Sequence, residues 1–180
     1  MRAIPTYYKG YCFRSKLEAR WAVAFDAMGV TWLYEPEGYQ LSDCMYLPDF
    51  LLTNVHCRST VDTNMFVEVK GIMGDVDLHK IETFHAETGY PIIIVGSMDS
   101  PKPSESIWIN NSFTLVDDTE PLWSYEYIDG DQYGCYLCQH EGQIWVAGAN
   151  HDEYDGGRLM KKGLAAARSA RFDHNHSGAQ

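Results

Sequence analysis

The sequence predicts an α/β protein whose mixed central sheet is flanked by helices. Apolar residues in the first hundred positions follow helical and strand spacings in the order α-β-β-β-α-β. A polar, proline-containing segment at residues 101–104 then marks a boundary. Apolar residues make up 45% of the 180 positions, which is sufficient for a packed core. We therefore predict a core domain over residues 1–100 and a C-terminal extension over residues 101–180.

The predicted core begins with a helix over residues 15–28. Its apolar stripe recurs at helical spacing and comprises Leu17, Trp21, Ala24 and Met28. Gly29 is suited to end this helix, because glycine readily adopts the left-handed conformation that follows many helices. The next three elements are rich in β-branched and aromatic residues and are predicted as strands. They cover residues 30–34, 46–52 and 65–70.

The later elements complete the core and form the extension. Residues 53–64 are predicted as a polar loop or ragged hairpin, and residues 75–88 as a helix that stops at Gly89. The apolar run at residues 91–95 is typical of a buried strand. The extension is predicted to contain two strands, a hairpin that turns near residues 141–142, and a basic helix. These elements cover residues 107–116, 123–128, 133–149 and 158–172.

Charge is distributed unevenly along the chain, whose formal net charge is −11. Residues 1–20 and 158–180 each carry five basic residues and one acidic residue, whereas the segment between them is strongly acidic. Because attraction to phosphate groups requires cations, only the two ends are expected to provide it. The expected contact residues are Arg14, Lys16, Arg158, Lys161, Lys162, Arg168 and Arg171. The acidic segment is equally well explained as a solubilising surface.

No segment of the sequence predicts export or membrane insertion. The N-terminal residues lack the apolar stretch of a signal peptide, and the apolar run at residues 91–95 is far too short to cross a bilayer. Five scattered cysteines indicate reduced thiols rather than a disulfide framework. We therefore expect a cytoplasmic protein.

Glu68 and Lys70 lie two residues apart in the predicted strand at residues 65–70. Alternate residues of a strand share a face, so both side chains are expected to point the same way. Burial of a carboxylate and an ammonium group at such a place is unfavourable unless the groups serve a purpose. The alternative is a surface ion pair on an edge strand.

Asp49 follows Pro48 in the preceding predicted strand, which can bring it beside Glu68. Two close carboxylates repel each other unless a cation lies between them, and Mg²⁺ prefers such oxygen ligands. Lys70 would then stand next to the metal, where it could orient a water molecule or offset negative charge. The alternative for Asp49 is an ordinary turn aspartate after proline.

Glu18 has two explanations that are compatible with each other. Ser15 and Glu18 have the spacing of a capping box, in which both side chains satisfy backbone N–H groups at the start of a helix. A helix that starts near the open end of the sheet would also place this carboxylate at the site.

In combination, these segments resemble the PD-(D/E)xK nuclease superfamily, most closely its small phage nucleases, which include Holliday-junction resolvases. The matching segments are Phe13-Arg14-Ser15-Lys16-Leu17-Glu18, Tyr34-Glu35, Leu47-Pro48-Asp49-Phe50-Leu51-Leu52 and Phe66-Val67-Glu68-Val69-Lys70-Gly71. The resemblance implies a restriction-endonuclease-like core and an active site that contains Glu18, Asp49, Glu68 and Lys70. The implied Mg²⁺ or Mn²⁺ ligands are Asp49, Glu68, Glu18 and Val69. Lys70 would serve the nucleophile.

Lys80 and His79, on the following predicted helix, lie where some members of the superfamily have an accessory polar residue. A solvated helix face explains both residues equally well. The function implied by the resemblance is metal-dependent hydrolysis of DNA by an endonuclease, in phage or prophage DNA processing or recombination. A structure-selective junction resolvase, which would act as a homodimer, and an exonuclease are alternatives within this class. A non-catalytic nucleic-acid-binding module is the hypothesis from another class.

Cys135 and Cys138 have the two-residue spacing of a zinc knuckle. His140 and His151 could complete a Zn²⁺ site. A reduced cysteine pair in a hairpin is the competing prediction, because no further histidine follows at the spacing of a zinc finger.

Overall fold

The computed structural model describes residues 5–57, 64–71, 77–96, 98, 108–109, 124–126, 132–148 and 158–172. Within these residues the chain forms helices and mixed β-sheets, so the predicted α/β class is confirmed at this level. None of the helices in these ranges is both long enough and apolar enough to cross a bilayer.

The larger sheet has five strands and carries the predicted core. Its strands are β3 (Trp32–Tyr34), β6 (Phe50–Leu52), β8 (Met65–Val69), β9 (Ile92–Val95) and β10 (Trp108–Ile109). They lie in the order β10-β9-β8-β6-β3, and every neighbouring pair is antiparallel except β8 and β9, which are parallel. Helices α1 (Lys16–Met28) and α2 (Leu78–Thr88) alternate with these strands in the predicted order.

The two faces of this sheet bury different hydrophobic clusters. Val67 and Val69 of β8 belong to a cluster that includes Trp21 and Phe25 of α1. Residues on the opposite face, which include Phe66 and Ile94, form a second cluster. Helix α2 contributes Ile81 and Phe84 to it. Because side chains alternate along a strand, Glu68 lies on this second face.

Helix α1 begins and ends where the sequence predicts. Ser15 is its N-cap, and Ser15 Oγ accepts a hydrogen bond from the Glu18 N–H at 3.2 Å. At the other end Gly29 has a φ of 78°, and the Val30 N–H donates to the Phe25 carbonyl at 2.9 Å. This 6→1 bond is the C-terminal pattern that requires a left-handed residue.

The predicted extension supplies most of a second, four-stranded sheet. Its strands are β7 (Val55–Cys57), β11 (Ser124–Glu126), β12 (Gln132–His140) and β13 (Gln143–Gly148), in the order β11-β12-β13-β7. The turn between β12 and β13 is at Glu141-Gly142, as predicted, and both residues have positive φ. Since β13 pairs in parallel with β7, the extension is hydrogen-bonded to the first half of the chain.

Helix α3 (Arg158–Ser169) joins the same core as α1. Its buried residues are Leu159, Met160, Gly163, Leu164 and Ala167. A Cβ added at Gly163 would lie 2.7 Å from Met28 Cγ and 3.0 Å from the Ala24 carbonyl oxygen. The two helices therefore approach closely at a point where only glycine fits.

Several predicted boundaries are wrong. The strand predicted at residues 46–52 is divided into β5 (Met45–Tyr46) and β6, because Pro48 has no N–H for a ladder bond. β7 lies within the predicted loop at residues 53–64. The strand predicted at residues 30–34 starts at Trp32, since Val30 completes the end of α1.

Further differences concern short elements and helix starts. The hairpin of β1 (Thr6–Tyr8) and β2 (Tyr11–Phe13) was not predicted, nor was β4 (Tyr39–Gln40), which pairs with β5. Helix α2 starts at Leu78 because the side chain of Asp77 caps it. Helix α3 ends at Ser169, three residues earlier than predicted. The remaining residues of the predicted strands at 107–116 and 123–128 lie outside the described ranges.

We predict that Gly163→Val lowers the free energy of unfolding by about 1–3 kcal/mol, because the new side chain would overpack the contact with Met28. Urea unfolding followed by circular dichroism measures the change. Ala165→Val, at an exposed position of the same helix, is the control and should cost less than about 1 kcal/mol. Equal losses for the two variants would show that the α1–α3 contact is not tightly packed.

Candidate active site

A cavity of about 450 Å³ lies where α1 and α2 begin and β8 ends. It is lined by Arg14, Glu18, Met45, Tyr46, Leu47, Asp49, Glu68, Val69, Lys70, Asp77, Lys80 and Ile81. The set contains all four residues predicted as catalytic and every predicted metal ligand. The tertiary structure thus brings together residues from positions 14 to 81 of the sequence.

Asp49 and Glu68 lie opposite each other on neighbouring strands. β6 and β8 are antiparallel with Phe50 opposite Val67, so the same register places Asp49 opposite Glu68. Both carboxylates are buried, with 3% and 7% of their surface exposed. β8 is also a central strand rather than an edge strand. A surface ion pair on an edge strand, the alternative considered for Glu68, therefore does not describe this site.

Asp49 has one contact to the backbone of β8 and one to a cation. The Val69 N–H donates to Asp49 Oδ2 at 2.7 Å, and Arg14 Nη2 donates to Asp49 Oδ1 at 2.5 Å. Burial and the nearby charge of Glu68 raise the pKa of Asp49 to about 7, although the Val69 N–H and Arg14 oppose this shift. The carboxylate is thus held in a place that disfavours its own negative charge.

Glu68 is held by a tyrosine and by the lysine that the sequence places on the same face. Tyr46 donates through its hydroxyl to Glu68 Oε2 at 2.7 Å, and Lys70 Nζ lies 2.7 Å from Glu68 Oε1. Burial alone would lower the pKa of Lys70, but its hydrogen bond to Glu68 and the charges of Glu68 and Asp49 raise it. Lys70 is therefore an ammonium ion at neutral pH.

Glu18 is both a helix cap and a cavity residue. Its carboxylate accepts hydrogen bonds from Ser15 Oγ at 2.6 Å, from the Tyr34 hydroxyl at 2.6 Å and from the Arg14 N–H at 3.1 Å. The side chain is only 7% exposed, yet it lines the cavity. The carboxylate thus lies at the start of α1 and also lines the cavity, although the backbone N–H that it accepts here is that of Arg14.

The cavity has its cations outside and its paired carboxylates inside. The Arg14 side chain is 57% exposed, and those of Lys80 and Lys70 are about one third exposed. Asp49 and Glu68 are buried beneath them. The exposed charges that line this opening are thus three cations and the carboxylate of Asp77, an excess of positive charge that favours phosphate binding.

The start of α2 adds one residue that sequence reasoning missed. Asp77 caps the helix by accepting a hydrogen bond from the Lys80 N–H at 3.2 Å, and it lines the cavity together with Lys80. His79 does not line it; its ring pairs with the exposed Asp43 at 2.6 Å instead. An N-cap position would have indicated Asp77, but the helix was predicted to start at residue 75, which placed Asp77 inside it. Tyr46 was missed as well, although strand alternation around it could have indicated an inward-facing side chain.

The remaining predicted site residues lie away from the cavity. Exposed cations cover the outer side of α3 and the start of α1, and comprise Lys16, Arg158, Lys161, Lys162, Arg168 and the nearby Arg171. None of these residues lines the cavity.

The predicted Zn²⁺ site falls largely outside the described residues. The side chain of Cys135 and the whole of His151 are not described. Cys138 is buried, and its Sγ donates to the Trp145 carbonyl at 3.6 Å. His140 is partly buried at the end of β12. Zinc binding by this set stays a prediction.

No protein-family model matches the chain, and neither a curated protein nor a solved structure matches it.

The oxygen donors of the cavity suit a hard divalent cation. Among the residues that the structure describes, no three His, Cys, Asp or Glu side chains converge as a preformed metal cluster. Asp49 Oδ1 and Glu68 Oε1 are paired with Arg14 and Lys70 instead. Mg²⁺ needs only one or two protein carboxylates, with water and substrate oxygens as its other ligands. The carboxylates of Asp49 and Glu68 fit such an ion if Arg14 or Lys70 moves aside.

We predict that Asp49 makes the stability of the protein depend on pH. With a folded pKa of about 7 and an ordinary unfolded value, the folded protein binds the additional proton between about pH 4 and 7. The stability that this proton contributes is lost as the pH rises through that window. The free energy of unfolding of Asp49→Asn, relative to that of the parent protein, should therefore rise by on the order of 1–4 kcal/mol from pH 4 to pH 7.

Urea unfolding of both proteins across this range gives the difference directly. Asp43→Asn, which removes an exposed carboxylate whose pKa is lowered mainly by its hydrogen bond to His79, is the control. Its difference from the parent should stay flat between pH 4 and 6. A flat difference for Asp49→Asn as well would mean that the carboxylate is not disfavoured in the folded state.

Proposed function

We propose that the chain is a metal-dependent nuclease of the PD-(D/E)xK kind that hydrolyses phosphodiester bonds in DNA. The observation that carries this proposal is the buried Asp49 opposite the buried Glu68, with Lys70 bound to Glu68 at the end of a central strand. Buried charge of this density is unfavourable for folding, so a functional reason for it is expected. Carboxylates that can hold a divalent cation, with a positive charge beside them, are groups that phosphoryl chemistry can use.

Each residue of the cavity has a distinct part in this proposal. Asp49, Glu68 and the Val69 carbonyl would hold Mg²⁺ or Mn²⁺, which supplies a Lewis acid and an acidified water when bound. Lys70 remains protonated because Glu68 raises its pKa. It therefore acts as a hydrogen-bond donor and a positive charge beside the phosphate, and not as a general base. Glu18 supports the start of α1 beside this centre.

The exposed cations of the cavity favour a polyanionic substrate. Arg14 and Lys80 lie at its opening, where a phosphate would arrive before it reached the carboxylates. DNA is the substrate that the predicted resemblance implies, with Lys16 and the cations of α3 as additional phosphate contacts. A junction resolvase with the same centre would act as a homodimer. A cleavage panel of linear duplex, single strand and four-way junction, with Mg²⁺ or EDTA, distinguishes these substrates.

A non-catalytic nucleic-acid-binding module is the second candidate function. It is favoured by the ion pairs of Arg14 with Asp49 and of Lys70 with Glu68, which balance the buried charges without a metal. Calorimetric titration with Mn²⁺ separates the two candidates, because the module has no need to bind the ion at Asp49.

We predict that Asp49→Asn and Glu68→Gln each abolish metal binding and cleavage together, since each removes a charged ligand but keeps the shape of the side chain. Lys70→Met should behave differently. It removes no ligand and frees Glu68 Oε1 from its ion pair, so Mn²⁺ affinity should be kept or should rise, whereas cleavage should fall by roughly 10²-fold or more. Calorimetry and a plasmid-cleavage assay give the two readouts.

Asp43→Asn, which removes a carboxylate outside the cavity, is the control for these variants and should cleave like the parent protein. If Asp49→Asn and Lys70→Met also cleaved like the parent, the assignment of this cavity as the active site would be wrong.

We predict that the exposed cations of α3 contribute to DNA affinity. Lys161→Gln with Lys162→Gln keeps the buried face of the helix and removes two positive charges. The slope of log K against log salt should decrease by about 2, because two fewer counterions are released. Fluorescence anisotropy with a short duplex measures the slope. Ala165→Gln on the same helix is the neutral control, and an unchanged slope in the double variant would place the DNA elsewhere.

A further inference from the structure

Arg14 bridges two acidic residues at the opening of the cavity. Its Nη2 lies 2.5 Å from Asp49 Oδ1, and its Nε lies 2.8 Å from Glu35 Oε1. The Arg14 N–H is bonded to Glu18 Oε2 and to the Tyr34 hydroxyl, both at 3.1 Å. The backbone of Arg14 is therefore fixed, while its guanidinium group is largely exposed and free to change partners.

Arg14 is bonded to the oxygen of Asp49 that has no tie to the backbone of β8. Asp49 Oδ2 already accepts the Val69 N–H at 2.7 Å, a bond that belongs to the buried side of the site. Asp49 Oδ1 is bonded to Arg14. A cation that binds Asp49 Oδ1 would share this oxygen with the guanidinium group, and the repulsion between two positive charges at this distance favours their exchange.

Glu35 is held in an unusual conformation beside this pair. Its φ is 44°, which is uncommon for a residue with a side chain. The Glu35 N–H donates to the Asp49 carbonyl at 2.9 Å, so a backbone hydrogen bond joins the two residues whose carboxylates contact Arg14. Glu35 Oε1 is buried, and its ion pair with Arg14 lacks the alignment of a hydrogen bond. Glu35 thus offers Arg14 a second, loosely directed partner.

We propose that Arg14 is a resident counter-ion of Asp49 that exchanges with the incoming divalent cation and then binds the substrate phosphate while Glu35 anchors it. This inference rests on the proposed nuclease function and concerns how the same site is filled. Before the metal binds, the guanidinium group balances the buried charge of Asp49. After exchange the guanidinium group stays paired with Glu35 and turns its other N–H groups toward the phosphate. Its planar geometry is suited to binding a phosphate.

The first test is calorimetric titration of the folded chain with Mn²⁺ in the absence of DNA. Arg14→Gln removes the competing cation, so Mn²⁺ should bind roughly 3- to 10-fold more tightly than to the parent protein. Lys80→Gln is the matched control, because it removes one positive charge from the same cavity but lies beside Asp77 rather than Asp49. Its effect should be less than about twofold. An equal gain in both variants would indicate general electrostatics and would overturn the exchange.

The second test asks whether Glu35 acts through Arg14. Glu35→Gln leaves Arg14 with Asp49 as its only charged anchor, so Mn²⁺ binding should weaken. In the double variant with Arg14→Gln this weakening should disappear, as expected for two residues that act through one contact. A loss of the same size in both backgrounds would remove Glu35 from the proposal.

The third test measures the coupling between metal and DNA with a duplex whose phosphorothioate linkages resist cleavage. In the parent, Mn²⁺ releases Arg14 and should strengthen DNA binding; in Arg14→Gln this strengthening should be smaller. If the parent binds no Mn²⁺, the proposed function fails. If the parent binds Mn²⁺ and Arg14→Gln binds it no more tightly, the nuclease proposal stands and the counter-ion role of Arg14 is wrong.

Discussion

The antiparallel register of β6 and β8 is the constraint on which the site depends. It places Asp49 opposite Glu68 beneath the surface, where two negative charges repel each other and neither is well hydrated. The rest of the cavity follows from the need to compensate them. Arg14 comes from the segment before α1, and Lys70 follows Glu68 along its own strand. A shift of one residue in this register would turn the two carboxylates to opposite faces.

The segment from Met45 to Asp49 connects this charge centre with the apolar interior. Tyr46 is buried, its ring centroid lies 5.1 Å from that of Phe84 in α2, and its hydroxyl reaches Glu68. Pro48 interrupts the ladder just before Asp49. Asp49 is bonded on both sides: its carboxylate accepts the Val69 N–H of β8, and its carbonyl accepts the Glu35 N–H beside β3. The packing of the second cluster therefore holds the same residues that set the electrostatics.

The C-terminal half also stabilises the core, which its charge pattern alone does not indicate. Its basic helix α3 was predicted from clustered cations, yet the opposite face of that helix packs into the cluster that contains α1. Arg168 Nε also donates to the Met98 carbonyl at 2.9 Å, which ties the helix to the segment after β9. α3 thus supports the helix whose first turn carries Glu18, besides presenting its cations.

Local features of the sequence determined the parts of the structure that depend on neighbouring residues. The caps of α1, the shared face of Glu68 and Lys70, and the turn at Glu141-Gly142 follow from backbone geometry over a few residues, and all were predictable. The order of the core elements followed from their hydrophobic spacing in the same way.

The tertiary structure alone decided which distant residues meet. The pairing of β7 with β13 joins residues about 90 positions apart, and no local pattern specifies such a partner. The ion pairs of Arg14 depend on the folded positions of Glu35 and Asp49, so the sequence could only indicate a basic residue near one end of the chain. Asp77 and Tyr46 joined the cavity for the same reason. Burial and charge compensation are properties of the assembled sheet, because they arise only when strands remote in sequence are brought side by side.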